Sequence, residues 1–410
     1  MQQVRSHVVS PFGFWIMTWV VILLLFGWSV ASGQSSLDVF WVTNGPYAHF
    51  RPVTSVAFSA DSTLLASGSV DGHAKVWAVD KKALVSDAAL IGINKPQTMC
   101  VALYTPDDLL ITGSDDGGVR GWSIASGRGL WGPGVEEAGD SDSIVQAVAI
   151  SKSGAIAYGH SFVFLRSSGG LFVLDDDNDT GIHVLSLSFS SDGSLLASGG
   201  DAGIVKIWRV SDGNLLRYFA GHSTLSENED DTVIRTVYSV DFSPDGTLVA
   251  STGEDNMIRL WRPSDVSEVR HIDSPGAGIT KFSADGKLLF TINGGPINVW
   301  RVADGTLLTS YPTAAATCLS VASNGKYYAF GRADGSVVVA YTPIWIQSIN
   351  QADGKITLSW QGGSGLYRME TRSHLEKGDW HYLGPPTTNT SFTHSAQSHQ
   401  FYRVQSLPNP

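Results

Sequence analysis

The stretch VYSVDFSPDGTLVASTGEDNMIRLW, residues 237–261, decides the fold of this 410-residue chain. Val237-Tyr-Ser-Val-Asp-Phe242 alternates as a half-buried β-strand does. The polar turn Ser243-Pro-Asp-Gly246 follows, and then come two more strand-like runs, Thr247-Leu-Val-Ala250 and Met257-Ile-Arg-Leu-Trp261. A fourth run completes the unit and is clearest one unit earlier, as Leu215-Leu-Arg-Tyr-Phe219. The sequence therefore predicts a unit of four short strands joined by tight turns.

The turn signature of this stretch recurs along the chain at intervals of 46, 46, 39, 53, 40 and 39 residues. Its seven copies are Ser59-Ala-Asp-Ser62, Thr105-Pro-Asp-Asp108, Ser151-Lys-Ser-Gly154, Ser190-Ser-Asp-Gly193, Ser243-Pro-Asp-Gly246, Ser283-Ala-Asp-Gly286 and Ala322-Ser-Asn-Gly325. Repeats of this length mark an array of one structural unit. Seven four-stranded units predict an all-β, seven-bladed β-propeller, in which ring closure buries the blade faces and protects the strand edges.

The order and spacing of Gly221-His222, Ser243-Pro-Asp-Gly246, Asp255 and Trp261 resemble the WD-repeat family. This resemblance covers roughly residues 36 to 343. In that family a loop His, a strand Ser or Thr, a turn Asp and a strand Trp form a hydrogen-bonded tetrad. The resemblance assigns a structural tetrad role to six residues of this chain. They are His49, Asp71 and Trp77 in one repeat, and His222, Asp255 and Trp261 in another.

Other repeats depart from the tetrad pattern. One repeat has Asp116 and Trp122 without an obvious His. Two repeats lack the Asp, because Ala202 precedes Trp208 and Gly294 precedes Trp300. The repeat ending near Leu174 has neither Asp nor Trp, and the last repeat keeps Asp334 but has Ala340 in place of Trp. A lost hydrogen bond costs only about 1 kcal/mol, so we expect the tetrad to be partly dispensable.

The N-terminal end of the repeat region has a lone strand-like run at residues 36–47, and the last repeat lacks a fourth strand. In WD-repeat propellers the N-terminal strand completes the last blade, so we expect the same closure here.

Before the repeat region, residues 1–33 combine Arg5 and His7, an apolar segment and the small residues Ala31-Ser-Gly33. This pattern is typical of a secretory signal peptide and predicts a secreted or periplasmic protein. The alternative is an uncleaved membrane anchor at residues 12–31.

The repeat stops before Ile344, and residues 344–410 contain further strand candidates. The order Leu-Ser-Trp360, Tyr367-Arg-Met-Glu and Phe401-Tyr-Arg-Val resembles a small fibronectin type III-like module. We therefore expect a small β-sandwich-like module after the propeller, acting as a spacer or stabilising cap. An alternative is binding of carbohydrate or the cell surface through Trp360, Trp380 and Tyr382.

The net charge of the chain limits the kinds of partner that it can bind. A net charge of −11 argues against nucleic acid, which selects a basic surface.

The two cysteines, Cys100 and Cys318, align with innermost strands of the second and seventh blades. A blade separates them, so they are too far apart for a disulfide, and we expect two buried unpaired thiols.

Acidic residues concentrate in three consecutive connections between blades. The twelve carboxylates are Glu136, Glu137, Asp140 and Asp142 between blades two and three, Asp175, Asp176, Asp177 and Asp179 between blades three and four, and Glu227, Glu229, Asp230 and Asp231 between blades four and five. All such connections are expected on one face, which predicts a negative sector there. Such a field steers a basic protein or peptide partner toward its site.

Residues 176–181 also raise a calcium hypothesis, because Asp176, Asn178 and Thr180 alternate before Gly181. The bidentate Glu of a calcium loop is replaced by Leu187, so no metal site is predicted.

No catalytic motif stands out. The chain has no Gly-x-Ser-x-Gly elbow, no phosphate-binding glycine loop before a helix and no haem-attachment Cys-x-x-Cys-His. The sequence therefore predicts a non-enzymatic protein-interaction scaffold without a cofactor. The alternative is an extracytoplasmic hydrolase or lyase, because propeller enzymes gather catalytic residues from several blades.

Overall fold

The computed structural model describes residues 37–43, 45–90, 96–131, 144–174, 183–222, 224–225, 232–233, 235–276, 278–292, 294–313, 315–352, 355–363, 367–372, 381–395 and 401–406. One compact unit spans Ser35–Thr342, and a second includes Pro343–Pro410. Residues 1–33, the predicted signal peptide, lie outside the described residues. Within the described part of the chain, no helix is long and apolar enough to cross a membrane.

The first unit consists of seven four-stranded antiparallel sheets, which are the blades of a propeller. The predicted all-β, seven-bladed architecture is therefore confirmed. Blade 1 contains β2 (Val53–Phe58), β3 (Leu64–Ser69), β4 (His73–Ala78) and β5 (Ala83–Ala89); blade 2 contains β6 (Thr98–Tyr104), β7 (Leu109–Ser114), β8 (Val119–Ser123) and β9 (Gly129–Trp131). Blade 3 contains β10 (Ala147–Ile150), β11 (Ile156–Gly159), β12 (Val163–Ser167) and β13 (Gly170–Leu174); blade 4 contains β14 (Val184–Phe189), β15 (Leu195–Gly200), β16 (Val205–Arg209) and β17 (Leu215–Phe219).

The remaining blades follow the same order. Blade 5 contains β20 (Val237–Phe242), β21 (Val249–Gly253), β22 (Met257–Trp261) and β23 (Glu268–Asp273); blade 6 contains β24 (Ile279–Phe282), β25 (Leu288–Ile292), β26 (Ile297–Arg301) and β27 (Leu307–Tyr311). Blade 7 contains β28 (Ala316–Val321), β29 (Tyr327–Arg332), β30 (Val337–Tyr341) and the N-terminal strand β1 (Val39–Val42). A two-stranded hairpin, β18 (Thr224–Leu225) and β19 (Thr232–Val233), lies between blades 4 and 5, and single 3-10 turns lie at Gly45–Tyr47 and Thr105–Asp107.

The repeated turn signature joins the first and second strand of each blade. In blade 5, Ser243 Oγ donates to Asp245 Oδ1 at 2.6 Å and accepts from Leu248 N at 2.9 Å, while Gly246 takes the left-handed φ of +71°. Blade 1 has Ser62 at the glycine position with φ +61°. Its hydroxyl lies 2.9 Å from Ser323 Oγ in blade 7.

A glycine in the second strand lets neighbouring blades pack closely. Gly68, Gly113, Gly159, Gly199 and Gly331 occupy matching positions, and a Cβ on any of them would lie 2.5–2.8 Å from a Thr or Val side chain of the next blade. Real Cβ atoms do not approach that closely, so a larger residue would push the blades apart.

The N-terminal strand closes the ring, as the sequence predicts. Strand β1 pairs antiparallel with β30, with Trp41 opposite Val339 and Val42 opposite Val338. At its end, Thr43 N donates to Val337 O at 2.9 Å, and Thr43 Oγ1 accepts from Val337 N at 2.8 Å. Both ends of the propeller are thus fixed in one sheet.

The second unit contains two three-stranded antiparallel sheets. The first contains β31 (Trp345–Ala352), β32 (Lys355–Gln361) and β35 (Ser391–Ser395); the second contains β33 (Tyr367–Arg372), β34 (His381–Tyr382) and β36 (Phe401–Ser406). One apolar cluster joins both sheets and includes Leu358, Trp360, Tyr367 and Met369. Trp360 is only 1% exposed, so it is a core residue and is unavailable to bind carbohydrate at the surface. The fibronectin type III-like assignment stays a prediction.

Candidate functional site

The two faces of the propeller carry different turns. Because the strands of a blade alternate in direction, the turns between its first and second and its third and fourth strands share one face, here called the hairpin face. The turns between second and third strands share the opposite face with the connections between blades. We call this second face the connector face. All three acidic connections join strands that end and begin on the connector face.

Blade 1 holds a complete tetrad under the connector face. His49 Nδ1 lies 3.0 Å from Asp71 Oδ2, and His49 Nε2 lies 2.8 Å from Ser67 Oγ. Trp77 Nε1 donates to the same hydroxyl oxygen at 2.9 Å. A carboxylate only accepts hydrogen bonds, so Nδ1 carries the ring proton and Nε2 accepts from Ser67. The tetrad therefore ties the connection before blade 1 to two of its strands.

The charge of this tetrad is stabilised within the fold. Burial alone would raise the pKa of Asp71, but the hydrogen bond from His49, with those from the backbone N–H groups of His73 and Phe50, lowers that pKa to about 2. Asp71 is therefore ionised at neutral pH although its side chain is fully buried.

Blade 5 holds a second, less complete tetrad. His222 Nδ1 lies 2.8 Å from Asp255 Oδ1, and its Nε2 lies 2.8 Å from Ser251 Oγ. Trp261 Nε1 is buried and makes no hydrogen bond to the residues that the structure describes, and the indole stacks on Phe219 with ring centroids 4.9 Å apart. The six tetrad residues chosen from the sequence thus come together in two groups of three, with one hydrogen bond missing.

Three of the other blades keep parts of the network. In blade 2 Arg120 Nη1 donates to Asp116 Oδ1 at 3.0 Å, and Trp122 Nε1 donates to Thr112 Oγ1 at 3.0 Å. Among the described residues, blades 4 and 6 retain the indole bond of the tetrad, from Trp208 to Ser198 and from Trp300 to Thr291, each at 2.9 Å. Sequence reasoning missed the role of Arg120, although its four-residue spacing from Asp116 was a usable signal.

Exposed aromatics lie on the connector face beside blade 1. Tyr47 is 60% exposed and Phe50 is 69% exposed, and Phe50 packs edge-on against the ring of His73. Both precede β2, and their connection is anchored by His49 and by Lys75, whose Nζ donates to Tyr47 O at 2.8 Å. The sequence analysis did not select them; their place in a loop around a tetrad histidine was the available signal.

The twelve predicted partner-binding carboxylates lie in residues 132–143, 175–182 and 226–231, outside the described residues. The same is true of Asp176, Asn178 and Thr180 of the calcium hypothesis and of Trp380 in the second unit. In the part of the chain that the structure describes, no group of three or more His, Cys, Asp or Glu side chains could hold a metal ion.

A cavity of about 450 Å³ is lined by the innermost strands of the blades. Side chains of these strands bond to the next blade: Ser239 Oγ accepts from Thr280 N at 3.2 Å, and Asp241 accepts from Phe282 N at 2.8 Å and from Lys281 Nζ at 2.9 Å. These polar groups of the innermost strands therefore hold neighbouring blades together.

The two cysteines lie on β6 and β28, as predicted, and both are buried and unpaired. Burial raises the pKa of Cys100 and of Cys318 to about 12. Both thiols are thus protonated at neutral pH, and a protonated buried thiol is a poor nucleophile.

The model of the WD domain, G-beta repeat, matches residues 42–78, 174–209 and 213–262. This propeller carries WD40 repeats. The matched segments fall on blades 1, 4 and 5, and the WD40 propeller extends the same architecture to four further blades.

Several curated relatives are similar to the WD40 propeller. Pre-mRNA-processing factor 19 homolog 2 of Arabidopsis thaliana is 26% identical over 68% of this chain and 52% of its own length. Nuclear distribution protein nudF of Aspergillus niger is 26% identical over 70% of this chain and 65% of its own length. The serine-threonine kinase receptor-associated protein of Gallus gallus is 26% identical over 57% of this chain and 59% of its own length. This chain therefore spans less than two thirds of each relative.

Proposed function

We propose that this WD40 propeller is an exported, non-enzymatic scaffold whose connector face binds a basic protein or peptide. The observation that carries the proposal is topological. Three successive connections, each with four carboxylates, join strands that end and begin on the connector face. A partner crossing blades 2 to 5 on that face would meet all three.

Two further features support a protein partner. Tyr47 and Phe50 are exposed on the same face, and large aromatics are enriched at the centres of protein interfaces. The receptor-associated relative from Gallus gallus is, by its name, a protein that associates with another protein. Apolar anchors beside blade 1 would supply affinity, while the acidic sector would raise the association rate and reject acidic competitors.

The decisive variant neutralises Asp175, Asp177, Glu229 and Asp230 together, to Asn or Gln. Its matched control neutralises the same number of charges in hairpin-face turns, by Asp80→Asn, Asp107→Asn, Asp212→Asn and Asp265→Asn. The wild type, the variant and the control are each used to capture partners from native envelope and medium, and the captured protein is titrated at 50 and 300 mM salt.

We expect the acidic-sector variant to weaken binding about tenfold at low salt and to flatten its salt dependence, because charge pairing across an interface is screened by ions. The control keeps wild-type binding. Equal losses in both variants would show a non-specific effect of net charge and would refute the acidic sector as the binding site.

Export is tested separately. Signal-peptide cleavage after Gly33 would give a mature chain that starts at Gln34. N-terminal sequencing of the protein recovered from the medium or periplasm checks this start, and retention of residues 12–31 in a membrane fraction would instead establish the anchor.

A further inference from the structure

Blade 4 contains a tetrad position that has lost half of its members. Ser198 pairs across the sheet with Lys206, as Ser67 pairs with Lys75 in blade 1, so the two serines occupy equivalent places. Ala202 stands where Asp71 stands in blade 1. His183, the histidine before β14, is 53% exposed and bonds Asp201 at 3.0 Å rather than Ser198.

The missing side chains leave a cavity of about 40 Å³. Its wall includes Ser198, Gly199, Gly200, Ala202, Lys206 and Trp208. One water needs roughly 10–15 Å³ of such space, so the cavity holds about three waters, which is close to the size of a five-membered ring.

Local packing keeps this cavity open. A Cβ on Gly200 would clash with the backbone oxygen of His183, so this position stays free of a side chain. The vacancy in blade 4 therefore follows from Gly200 together with Ala202.

One hydrogen-bonding group of the cavity, the Ser198 hydroxyl, matches an imidazole ring. Ser198 Oγ accepts from Trp208 Nε1 at 2.9 Å, and its own proton has no acceptor within the described part of the chain. In blades 1 and 5 the equivalent serine lies 2.8 Å from an imidazole nitrogen. The backbone around Ser198 thus has the same arrangement as the backbone around the two serines that bond to the imidazole rings of His49 and His222.

We propose that the blade 4 cavity is a binding site for the imidazole ring of a histidine side chain supplied by a partner. Ser198 donates to the unprotonated ring nitrogen, the Trp208 indole forms one wall, and Ala202 leaves the second nitrogen accessible to water. The site opens on the connector face, because Ala202 lies in the turn between β15 and β16. None of the groups assigned to it belongs to the acidic sector, although its wall residues Leu174 and His183 border the acidic connection at residues 175–182.

The probe is 4-methylimidazole at pH 8, where the ring is neutral. Binding to the full chain is measured by ligand-detected NMR, and the thermal unfolding midpoint is followed with the same probe. The variants are Ala202→Leu, which fills the cavity; Ser198→Ala, which removes the donor; and Ala202→Asp, which adds the carboxylate that blade 1 possesses. The variant His49→Gly, which empties the blade 1 tetrad, is the positive control.

We expect the wild type to bind the probe with a Kd on the order of 1 mM, as suits a ligand of six heavy atoms. Ala202→Leu abolishes binding, Ser198→Ala weakens it about fivefold, and Ala202→Asp strengthens it about tenfold. N-acetylhistidine amide, which carries the ring on a backbone, competes with the probe.

Three results would overturn the proposal. In the first, the probe raises the unfolding midpoint of His49→Gly but does not bind the wild type. In the second, binding survives unchanged in Ala202→Leu, which places it elsewhere. In the third, 4-methylimidazole binds while N-acetylhistidine amide does not, which excludes a partner side chain. Ser198→Ala also removes the hydrogen-bond partner of Trp208. If that variant fails to fold, the comparison of Ala202→Leu with the wild type tests the proposal.

Discussion

In blade 1 the indole of Trp77 lies 2.9 Å from Ser67, and in blade 4 the indole of Trp208 lies 2.9 Å from Ser198. The strands carrying these pairs have the same register, but blade 1 adds a histidine and a buried carboxylate where blade 4 has an alanine and a cavity. The comparison shows that the blade backbone does not require the tetrad. What the tetrad adds is an attachment between a blade and the connection that precedes it.

The largest expected effect comes from removing the blade 1 histidine. His49→Ala leaves the fully buried Asp71 carboxylate without its main partner, which costs about 3 kcal/mol of unfolding free energy. The matched change in blade 4, His183→Ala, removes an exposed pair and costs less than about 1 kcal/mol. Urea unfolding of both variants checks the difference, and equal losses would show that the tetrad attachment has no special role.

A feature that both blades share gives a second test. Gly68 and Gly199 pack against the next blade in the same way, with a hypothetical Cβ 2.7 Å from Thr98 and 2.8 Å from Val237. We expect Gly68→Ala and Gly199→Ala to cost about 2 kcal/mol each, because close packing tolerates no added methyl group. If the blade 4 variant proved much milder in denaturant titrations, packing between blades would depend on the tetrad.

Acid should weaken blade 1 through Asp71. Its folded pKa of about 2 lies below the ordinary value of 3.8 for an aspartate, so its stabilising contribution is complete above pH 4 to 5 and is lost as pH falls toward 2. The lowered pKa corresponds to an effect on the order of 2 kcal/mol. Unfolding measured between pH 6 and 2 should therefore show a weaker acid dependence in Asp71→Asn than in the wild type; parallel curves would contradict this assignment.

The smallest expected difference separates the two serines. Ser67 bonds both His49 and Trp77, whereas Ser198 bonds Trp208. Ser67→Ala should therefore destabilise by about 1 kcal/mol more than Ser198→Ala, which is the typical net contribution of one hydrogen bond. Unfolding midpoints of the two variants test this, and the reverse order would mean that the cavity in blade 4 makes Ser198 the more sensitive site.

The fold was predictable because its signals are local and repeated. The turn around Ser243, Asp245 and Gly246 specifies its own hydrogen bonds, and seven copies of it leave little choice of architecture. Closure by residues 36–47 was predictable from a missing fourth strand. The turn needed only residues that lie near each other in the chain, whereas the closure needed a comparison of the two ends of the repeat region with the complete repeats.

Features that depend on side-chain geometry in three dimensions were not predictable. The missing bond of Trp261 and the burial of Trp360 are two of them. The blade 4 cavity required Gly200 and Ala202 to be considered against their neighbours in three dimensions. The acidic connections, by contrast, are conspicuous in sequence and remain a prediction.

Ring closure also determines when the N-terminal strand β1 can be paired during folding. Val42 in β1 can pair only after Val338 in β30 has been synthesised, 296 residues later. At synthesis rates of about 5–20 residues per second, the earliest strand spends roughly 15–60 s without its partner. Such distant pairing is slow to form once the chain is complete. The strand made first is therefore among the last to be paired, and until then both it and the edge of blade 7 are available to chaperones and to other copies of the chain.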